Sequence, residues 1–437
     1  MTELRHAFRA LFKRPAFTLV AVLTLALGIG ANTAIFSIIV GVVLRPLPFN
    51  EPDRVVQLKE RNARGGASHV SHPNFLDWRQ RATSFDGMSE YGCYTQAVLG
   101  SAEPKFAQAC VVSDGFFHVI GVAPWLGRTF APEELRQNGV PAVIVGHRFW
   151  QTALGSNTDL SAITVKIDGK AARVVGVMPD GFDYAEGAEV WVPAELEPDT
   201  GGRTSHNWTV VARLRPGVTV ATASAEMEMI GRQLKQQYGN DENGIGVVTT
   251  PLKDVIVPPE SRDALVLLLG TVGLVLLIAC ANVATTLLAR GEERRTEMAV
   301  RAALGAGRGR LVRQLLVESS VLGVFGATAG LLLAAWLIRL LRSLNGLALP
   351  RHETIGVDGT VLVFTLALAL ITPLVFGLVP SLRASRADLR DALAEGGRSA
   401  APARASVRTV LVIGEVAIAL VLLVGSALLM RSFARVL

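Results

Sequence analysis

The sequence predicts an α-helical transmembrane bundle of four helices plus a fifth, with a large extracytoplasmic α+β domain of two lobes inserted between helices one and two. Three observations predict it. Apolar residues gather in five long runs, a polar stretch of residues 44–263 separates the first run from the second, and arginines collect in alternate gaps between runs. Half of the 437 residues are hydrophobic and the mean hydropathy is +0.39. The clustering, rather than the total, carries the inference.

The five runs are residues 17–43, 264–288, 316–341, 361–379 and 410–430. A helix needs about 20 apolar residues to cross a bilayer core, with a tolerated range of about 17–25. The fourth run is the shortest and contains Pro373, which membrane helices accommodate. The first run has a basic start and the small residues Gly30, Ala31 and Ala34, as a signal peptide has. It is too long for an apolar signal core of about 7–15 residues, so it is expected to stay as an anchor.

Charge gives the orientation. Arg5, Arg9, Lys13 and Arg14 precede helix one; Arg290, Arg294, Arg295, Arg301, Arg308, Arg310 and Arg313 lie between helices two and three; Arg383, Arg386, Arg390, Arg398, Arg404 and Arg408 lie between helices four and five. The gap between helices three and four holds only Arg342 and Arg351. Basic loops stay cytoplasmic. The N-terminal segment 1–16, the connector 289–315 and the linker 380–409 are therefore expected inside, and residues 44–263 in the periplasm. Arg431 and Arg435 dissent at the far end.

The net charge of +6 hides a split. Residues 45–262 hold 21 Lys/Arg against 25 Asp/Glu, a net of −4, and the rest of the chain carries +10. A basic total raises nucleic acid as a partner, but the excess sits beside membrane helices. Topology and anionic lipid account for it, and no nucleic-acid partner is expected.

Within the inserted domain, residues 55–59, 142–145, 163–167, 172–177 and 209–214 are short β-branched runs. Turn signals such as Asp168-Gly169 and Pro216-Gly217 bound them. Residues 222–238 carry apolar Ala225, Met229 and Leu234 among polar neighbours, as an amphipathic helix does. A further helix is expected around Pro73–Trp78. Cys93 and Cys110 both fall in this domain, where a disulfide is permitted, but spacing alone leaves their pairing open. Cys280 falls inside helix two and reads as packing.

Chemistry is scarce. His69 and His72 stand three apart with nothing nearby to complete a zinc set, so they read as surface or turn residues. Neither H-E-x-x-H nor G-x-S-x-G occurs. Asp180 and Asp183 flank Gly181-Phe182, and a turn explains them. Trp125, Trp150 and Trp191 suit either a binding face or core packing. No catalytic, cofactor or metal site is expected, and the chain is not expected to be an enzyme.

The connector RGEERRTEMAVRAALGAGRGRLVR is richer than a topology signal requires. Residues 292–304 suit a helix, with Glu293 and Glu297 as partners for Arg301, which stands four residues after Glu297. Gly305, Gly307 and Gly309 are expected to break it before helix three. Either a solvated basic loop or a protein-docking helix fits this pattern.

The segment EMAVRAALGAGRGRLVRQLLVES resembles the corresponding part of the MacB/FtsX-type ABC transporter permeases. VVSDGFFHVIGVAPWLGRTF, ARVVGVMPDGFDY and VWVPAEL are similar to their periplasmic core domain. The opening Lys13-Arg14-Pro15-Ala16-Phe17 with ALGIGANTAIFSIIVGVVLRPLPF resembles the first half of the bacterial duplicated (ADOP-type) permeases. ACANVATTLLAR and PSLRASRADLRDAL do so too. The resemblance covers nearly the whole chain.

It implies a helix, a two-lobed periplasmic domain and three more helices in a bacterial inner-membrane protein. The FtsX-like permease domain would span 264–390. It implies a homodimer or a second permease half, an ABC ATPase subunit on the cytoplasmic side, and a periplasmic or outer-membrane partner. No cofactor would be bound by this chain. ATP would be used by the ATPase, since no G-x-x-x-x-G-K-[ST] occurs here. ATPase contact would fall on Glu297, Ala299, Arg301, Ala303, Leu304, Gly305 and Ala306. The implied function is mechanotransmission for efflux or extraction of a hydrophobic molecule, a peptide or a lipoprotein. The alternative is a non-transporting signalling or scaffolding protein that regulates an outer partner.

The run at 410–430 resembles the first helix of a second copy, so the chain reads either as a truncated product or as one unit with an extra helix. Gly326 and Gly330 form a small-xxx-small pair on helix three, suited to association or to packing inside the bundle. Asn282 and Glu415 are polar residues of the membrane runs. Their positions within about two turns of a cytoplasmic end favour structure over a proton relay.

Overall fold

The computed structural model describes residues 8–9, 11–100, 105–182, 184–185, 187–196, 201–239, 244–293, 308–343, 355–384 and 401–436. The chain divides into two compact units, Met1–Arg45 with Glu260–Leu437, and Pro46–Pro259.

Helix α1 runs Pro15–Ile39, with proline in its first turn, where the missing N–H costs nothing. It passes into a π-helical turn, Val40–Leu44, closed by Arg45 N–H donating to Val40 O at 2.8 Å.

The second unit follows, built on one sheet. Its strands are β1 Val55–Asn62, β2 Ala67–Ser68, β3 Val70–Ser71, β4 Phe85–Leu99, β5 Lys105–Val112, β6 Leu126–Gly127, β7 Ala142–Val145, β8 Thr164–Ile167, β9 Lys170–Val177, β10 Val190–Pro193, β11 His206–Leu214 and β12 Gly244–Pro251. The main path is β12-β1-β11-β4-β5-β10-β7-β9-β6, with β2, β3 and β8 paired off it. β1 lies antiparallel to both β11 and β12, with Val56 opposite Pro251 and Gln57 opposite Thr250. The mixed character lies further along, where β10 is parallel to β5 and β7 is parallel to β9.

The three longest helices of this unit are α2 His72–Arg81, α3 His147–Ala153 and α4 Val220–Tyr238. They cover one face of the sheet, while the short helical turns Phe116–Ile120 and Leu252–Ile256 also pack on it. Phe75 and Trp78 of α2 and Ala223, Met227, Ile230 and Leu234 of α4 bury against Val56, Leu58, Met88, Val210 and Ala212. Of the residues expected on the seam of α4, Leu234 lies on it and Ala225 and Met229 do not. Ala225 is exposed and Met229 is 50% exposed. The steps of three and four residues that reach the sheet start at Ala223. Phe149 and Trp150 of α3 bury against Val98, Ala109, Val143, Val165 and Val174. On the opposite face of the sheet from both lies an aromatic core, with Tyr91, Phe116, Phe182, Tyr184 and Trp191.

Cys93 and Cys110 are direct cross-strand neighbours on β4 and β5 and form a disulfide. Asp168 and Gly169, both with positive φ, make the two-residue hairpin from β8 to β9. Phe182 N–H donates to Pro179 O across Asp180-Gly181, with Gly181 at φ +75°, which is a type II turn. Asp183 lies outside the described residues.

The chain then returns to the first unit with α5 Pro259–Glu293, α6 Arg308–Ser343, α7 Gly359–Ala384 and α8 Ala401–Val436. Among the described residues four helical segments are long and apolar enough to cross a membrane: Pro15–Leu44, Pro259–Ala289, Leu316–Leu341 and Thr409–Leu428. Gly359–Leu374 is a shorter apolar stretch. Gly309, expected in a break, is the second residue of α6.

Candidate functional site

Helix α1 touches three other membrane helices within six residues, Gly28-Ile29-Gly30-Ala31-Asn32-Thr33. Glycine at 28 and 30 lets neighbouring helices reach its backbone. A Cβ on Gly28 would lie 2.8 Å from Leu276 Cδ1 of α5, and one on Gly30 would lie 2.8 Å from Gly330 O of α6. At Gly30 the blocking atom is backbone, which leaves no room for a side chain, whereas at Gly28 it is the end of the Leu276 side chain.

The polar pair that follows is used in two directions. Asn32 Nδ2 donates to Gly28 O within its own helix at 2.8 Å and to Val272 O of α5 at 2.9 Å. Thr365 Oγ1 spends its proton on Val361 O at 2.8 Å. The Thr33 hydroxyl, 3.1 Å away, is therefore the donor to Thr365. Asn32 and Thr33 are 4% and 0% exposed, so each bond satisfies a polar group that an apolar bundle would otherwise leave unpaired. One turn on, the rings of Phe36 and Phe364 stack at 4.0 Å.

The two glycines singled out on α6 both face α1. A Cβ on Gly326 would meet Leu25 Cβ at 2.6 Å; one on Gly330 would sit 3.0 Å from both Ala26 O and Gly30 N. Their close approach is thus made inside the bundle. Gly323, a turn earlier, gives way to Pro373 of α7, whose ring occupies the space of a Cβ. Leu25, Ile29, Leu276, Cys280, Val321 and Leu322 fill the apolar core around this crossing. Sequence reasoning missed the α1 hub, although a Gly-x-Gly-x-Asn-Thr run inside an apolar helix is the signal that marks it.

Glu297, Ala299, Arg301, Ala303, Leu304, Gly305 and Ala306 lie outside the described residues.

In the Pro46–Pro259 unit several buried polar side chains are tied to neighbouring elements. Glu60, 1% exposed, accepts from Ser71 N–H at 3.0 Å and Asn74 Nδ2 at 2.8 Å and faces His206 Nδ1 at 3.0 Å. His72 Nδ1 lies 2.6 Å from buried Glu90, so it is tied in rather than a free turn residue. Arg203 reaches Asn74 Oδ1 at 2.5 Å and Asp77 Oδ2 at 2.6 Å, with its guanidinium 3.5 Å from the Tyr238 ring centroid.

Arg128 grips Glu134 through two nitrogens, each at 2.8 Å. Burial raises the Glu134 pKa. The Arg128 hydrogen bonds, the Ala131 N–H and the charges of Arg128 and Arg173 outweigh it, and the carboxyl ends below its ordinary value. Glu226 is pushed up by burial but held below its ordinary value by Thr83 and Ser84, whose backbone N–H groups donate to it at 2.7 and 2.9 Å.

Trp150 and Trp191 are core residues, at 5% and 0% exposure, while Trp125 is 57% exposed. Among the described residues no group of three His, Cys, Asp or Glu could hold a metal ion.

A helical membrane unit interrupted after its first helix by a large α+β domain defines a multi-span membrane protein with an inserted extracytoplasmic domain. Residues 18–230 match the MacB-like periplasmic core domain, and residues 269–389 match the FtsX-like permease C-terminal model. The chain belongs to the MacB/FtsX-type ABC transporter permeases.

It is 26% identical over 286 residues to the macrolide export ATP-binding/permease protein MacB of Burkholderia thailandensis, covering 65% of this chain and 42% of that protein. It is 26% identical over 302 residues to the protein of the same name from Escherichia coli strain K12, covering 66% and 43%. The chain thus spans about two-fifths of the length of these curated relatives. The periplasmic region of MacB from Actinobacillus actinomycetemcomitans superposes with a TM-score of 0.37 and 13% identity, over 46% of this chain and 90% of that one.

Proposed function

We propose that this chain is the permease subunit of an ABC system in which a separate ATPase, docked on the 289–315 connector, drives the membrane helices and through them the periplasmic domain. One observation carries the reading: the FtsX-like permease match, 269–389, encloses the arginine-rich connector together with the helices on either side of it. Force entering there would reach α5 at one end and α6 at the other. α6 is packed through Gly326 and Gly330 onto α1, and α1 and α5 are the two helices that flank the inserted domain.

In this reading the N-terminus is cytoplasmic, α7 and α8 also cross the membrane, and the domain works as two lobes. The permease pairs with a second copy or a second permease half. The cargo class is a hydrophobic molecule, a peptide or a lipoprotein, removed by efflux or extraction. The relatives' name, macrolide export, is consistent with the first of these.

Glu297→Ala and Arg301→Ala test the docking. Both should weaken retention of the ATPase on the full chain purified from its membrane, while insertion stays intact. Unchanged co-purification of an ATPase with either variant would remove the connector from the docking role.

A further inference from the structure

The seams within the membrane unit are built differently. Between α1 and α6 the backbones meet at Gly30 and Gly330, with Leu25 seated on Gly326. Between α6 and α7, Pro373 fills the place a Cβ of Gly323 would take. Between α1 and α7 stand the Thr33–Thr365 hydrogen bond and the Phe36–Phe364 stack. These three helices interlock over several turns, and packed interfaces of this kind shift as units rather than deform.

Helix α5 is held differently. Only 17% of its apolar stretch is buried, against 61% for α1 and 44% for α6. The α8 stretch, at 0%, is not buried at all, so α5 is the least buried of the helices that α1 contacts through Gly28 to Thr33 and that carry a spanning stretch. Its buried side chains, Leu276, Ala279, Cys280, Val283 and Ala284, lie in its second half. Toward its first half the contact with α1 is polar: Asn32 donating to Val272 O. Val266, Leu267 and Leu268, a turn or more further toward the start of α5, are 59%, 58% and 41% exposed. A carbonyl on a helix already accepts from the N–H four residues on, so the Asn32 bond is additional to the helix ladder and breaks without unwinding α5.

We infer that α5 is the moving helix of this unit, that α1, α6 and α7 form the rigid body it moves against, and that Asn32 is the latch between them. This goes beyond the proposed function and stands without it, since it concerns which seam opens and not what opens it. Where the proposal of an ATPase-driven permease holds, the latch on α1 would act on α5, the helix that joins the inserted domain to the connector.

Cysteine cross-linking in the full chain, in native membranes and with Cys280→Ala as background, tests this directly. A Cβ on Gly28 stands 3.6 Å from Leu276 Cβ, within the span a disulfide needs. The pair Gly28→Cys with Leu276→Cys therefore reports the α1–α5 seam one turn from Asn32. Thr33→Cys with Thr365→Cys, replacing hydroxyls 3.1 Å apart, reports the α1–α7 seam.

Both pairs should cross-link under mild oxidant. Adding Asn32→Leu, which keeps the volume and removes the donor, should slow the first pair by about tenfold or more and leave the second unchanged. Unchanged rates for both pairs would show that Asn32 holds nothing shut. Equal slowing of both would show a general loosening of the bundle and overturn the distinction between a rigid trio and a latched helix. Each readout needs no ATPase, so failure here leaves the connector variants as an independent test.

Discussion

Gly30 on α1 and Gly330 on α6 occupy each other's side-chain space: a Cβ on the first would stand 2.8 Å from the carbonyl oxygen of the second, and a Cβ on the second 3.0 Å from the amide nitrogen of the first. In a bilayer, where lipid is as apolar as leucine, such close backbone approach is a main source of helix adhesion. Gly330→Ala should cost about 1–3 kcal/mol of overpacking strain. Gly330→Leu should separate the helices outright. Thermal unfolding of the purified full chain should rank them wild type, alanine, leucine. A leucine variant as stable as wild type would mean the crossing is not tight.

The Cys93–Cys110 bridge closes a loop of 17 residues between β4 and β5. A cross-link of that span removes about 3 kcal/mol of unfolded-state freedom. Replacing both residues by serine should lower the unfolding midpoint of the inserted domain, followed by tryptophan fluorescence. Reductant should lower the wild-type midpoint toward that of the variant and leave the variant unmoved.

Glu134 supplies a pH dependence whose sign follows from its lowered pKa. Its contribution is full above the ordinary carboxylate value and is lost as pH falls through the lower folded value. Glu134→Gln should cost about 1–3 kcal/mol at neutral pH, because Arg128 loses its charged partner. The stability difference between the two proteins should shrink on acidification below pH 4.5. A constant difference across that range would remove Glu134 as its source.

Arg203 ties its own loop to two helices, through Asn74 and Asp77 on α2 and the Tyr238 ring at the end of α4. Arg203→Ala should destabilise the domain by about 1–2 kcal/mol, and Arg203→Lys should recover little of it. An ammonium cannot make the two-pronged contact or lie flat on an aromatic ring as a guanidinium does. Chemical denaturation of the two variants in parallel separates charge from shape.

The sequence made some of this legible and hid the rest for identifiable reasons. Ala142–Val145 and Lys170–Val177 are legible because they are rich in β-branched residues, and the second also because it starts at the Asp168-Gly169 turn, where both residues have positive φ. β4 did not stand out. Its run FDGMSEYGCYTQAVL contains glycines, serine and buried Glu90, whose partner His72 is eighteen residues away. The seam of α4 was misread at Ala225 and Met229 because these fit a helical period as well as Ala223 and Met227 do, and only the sheet beneath decides between them. In the membrane unit, Gly326 and Gly330 announced a close approach but not the identity of the neighbour. A small-residue spacing describes one surface, and the surface it meets, Leu25 to Gly30, lies some three hundred residues away in the chain.

The pairing of β1 with β12 has a mechanical meaning. The chain enters the sheet at Val55 and leaves it at Pro251, and these strands are antiparallel neighbours with Val56 opposite Pro251. Tension drawing the two ends apart therefore loads the ladder at its terminal rung. It peels the rungs one after another, from Pro251 toward Gly246, instead of shearing them all together. The domain can yield along this zipper, and close it again, while β4, β5 and the bridge between them stay folded.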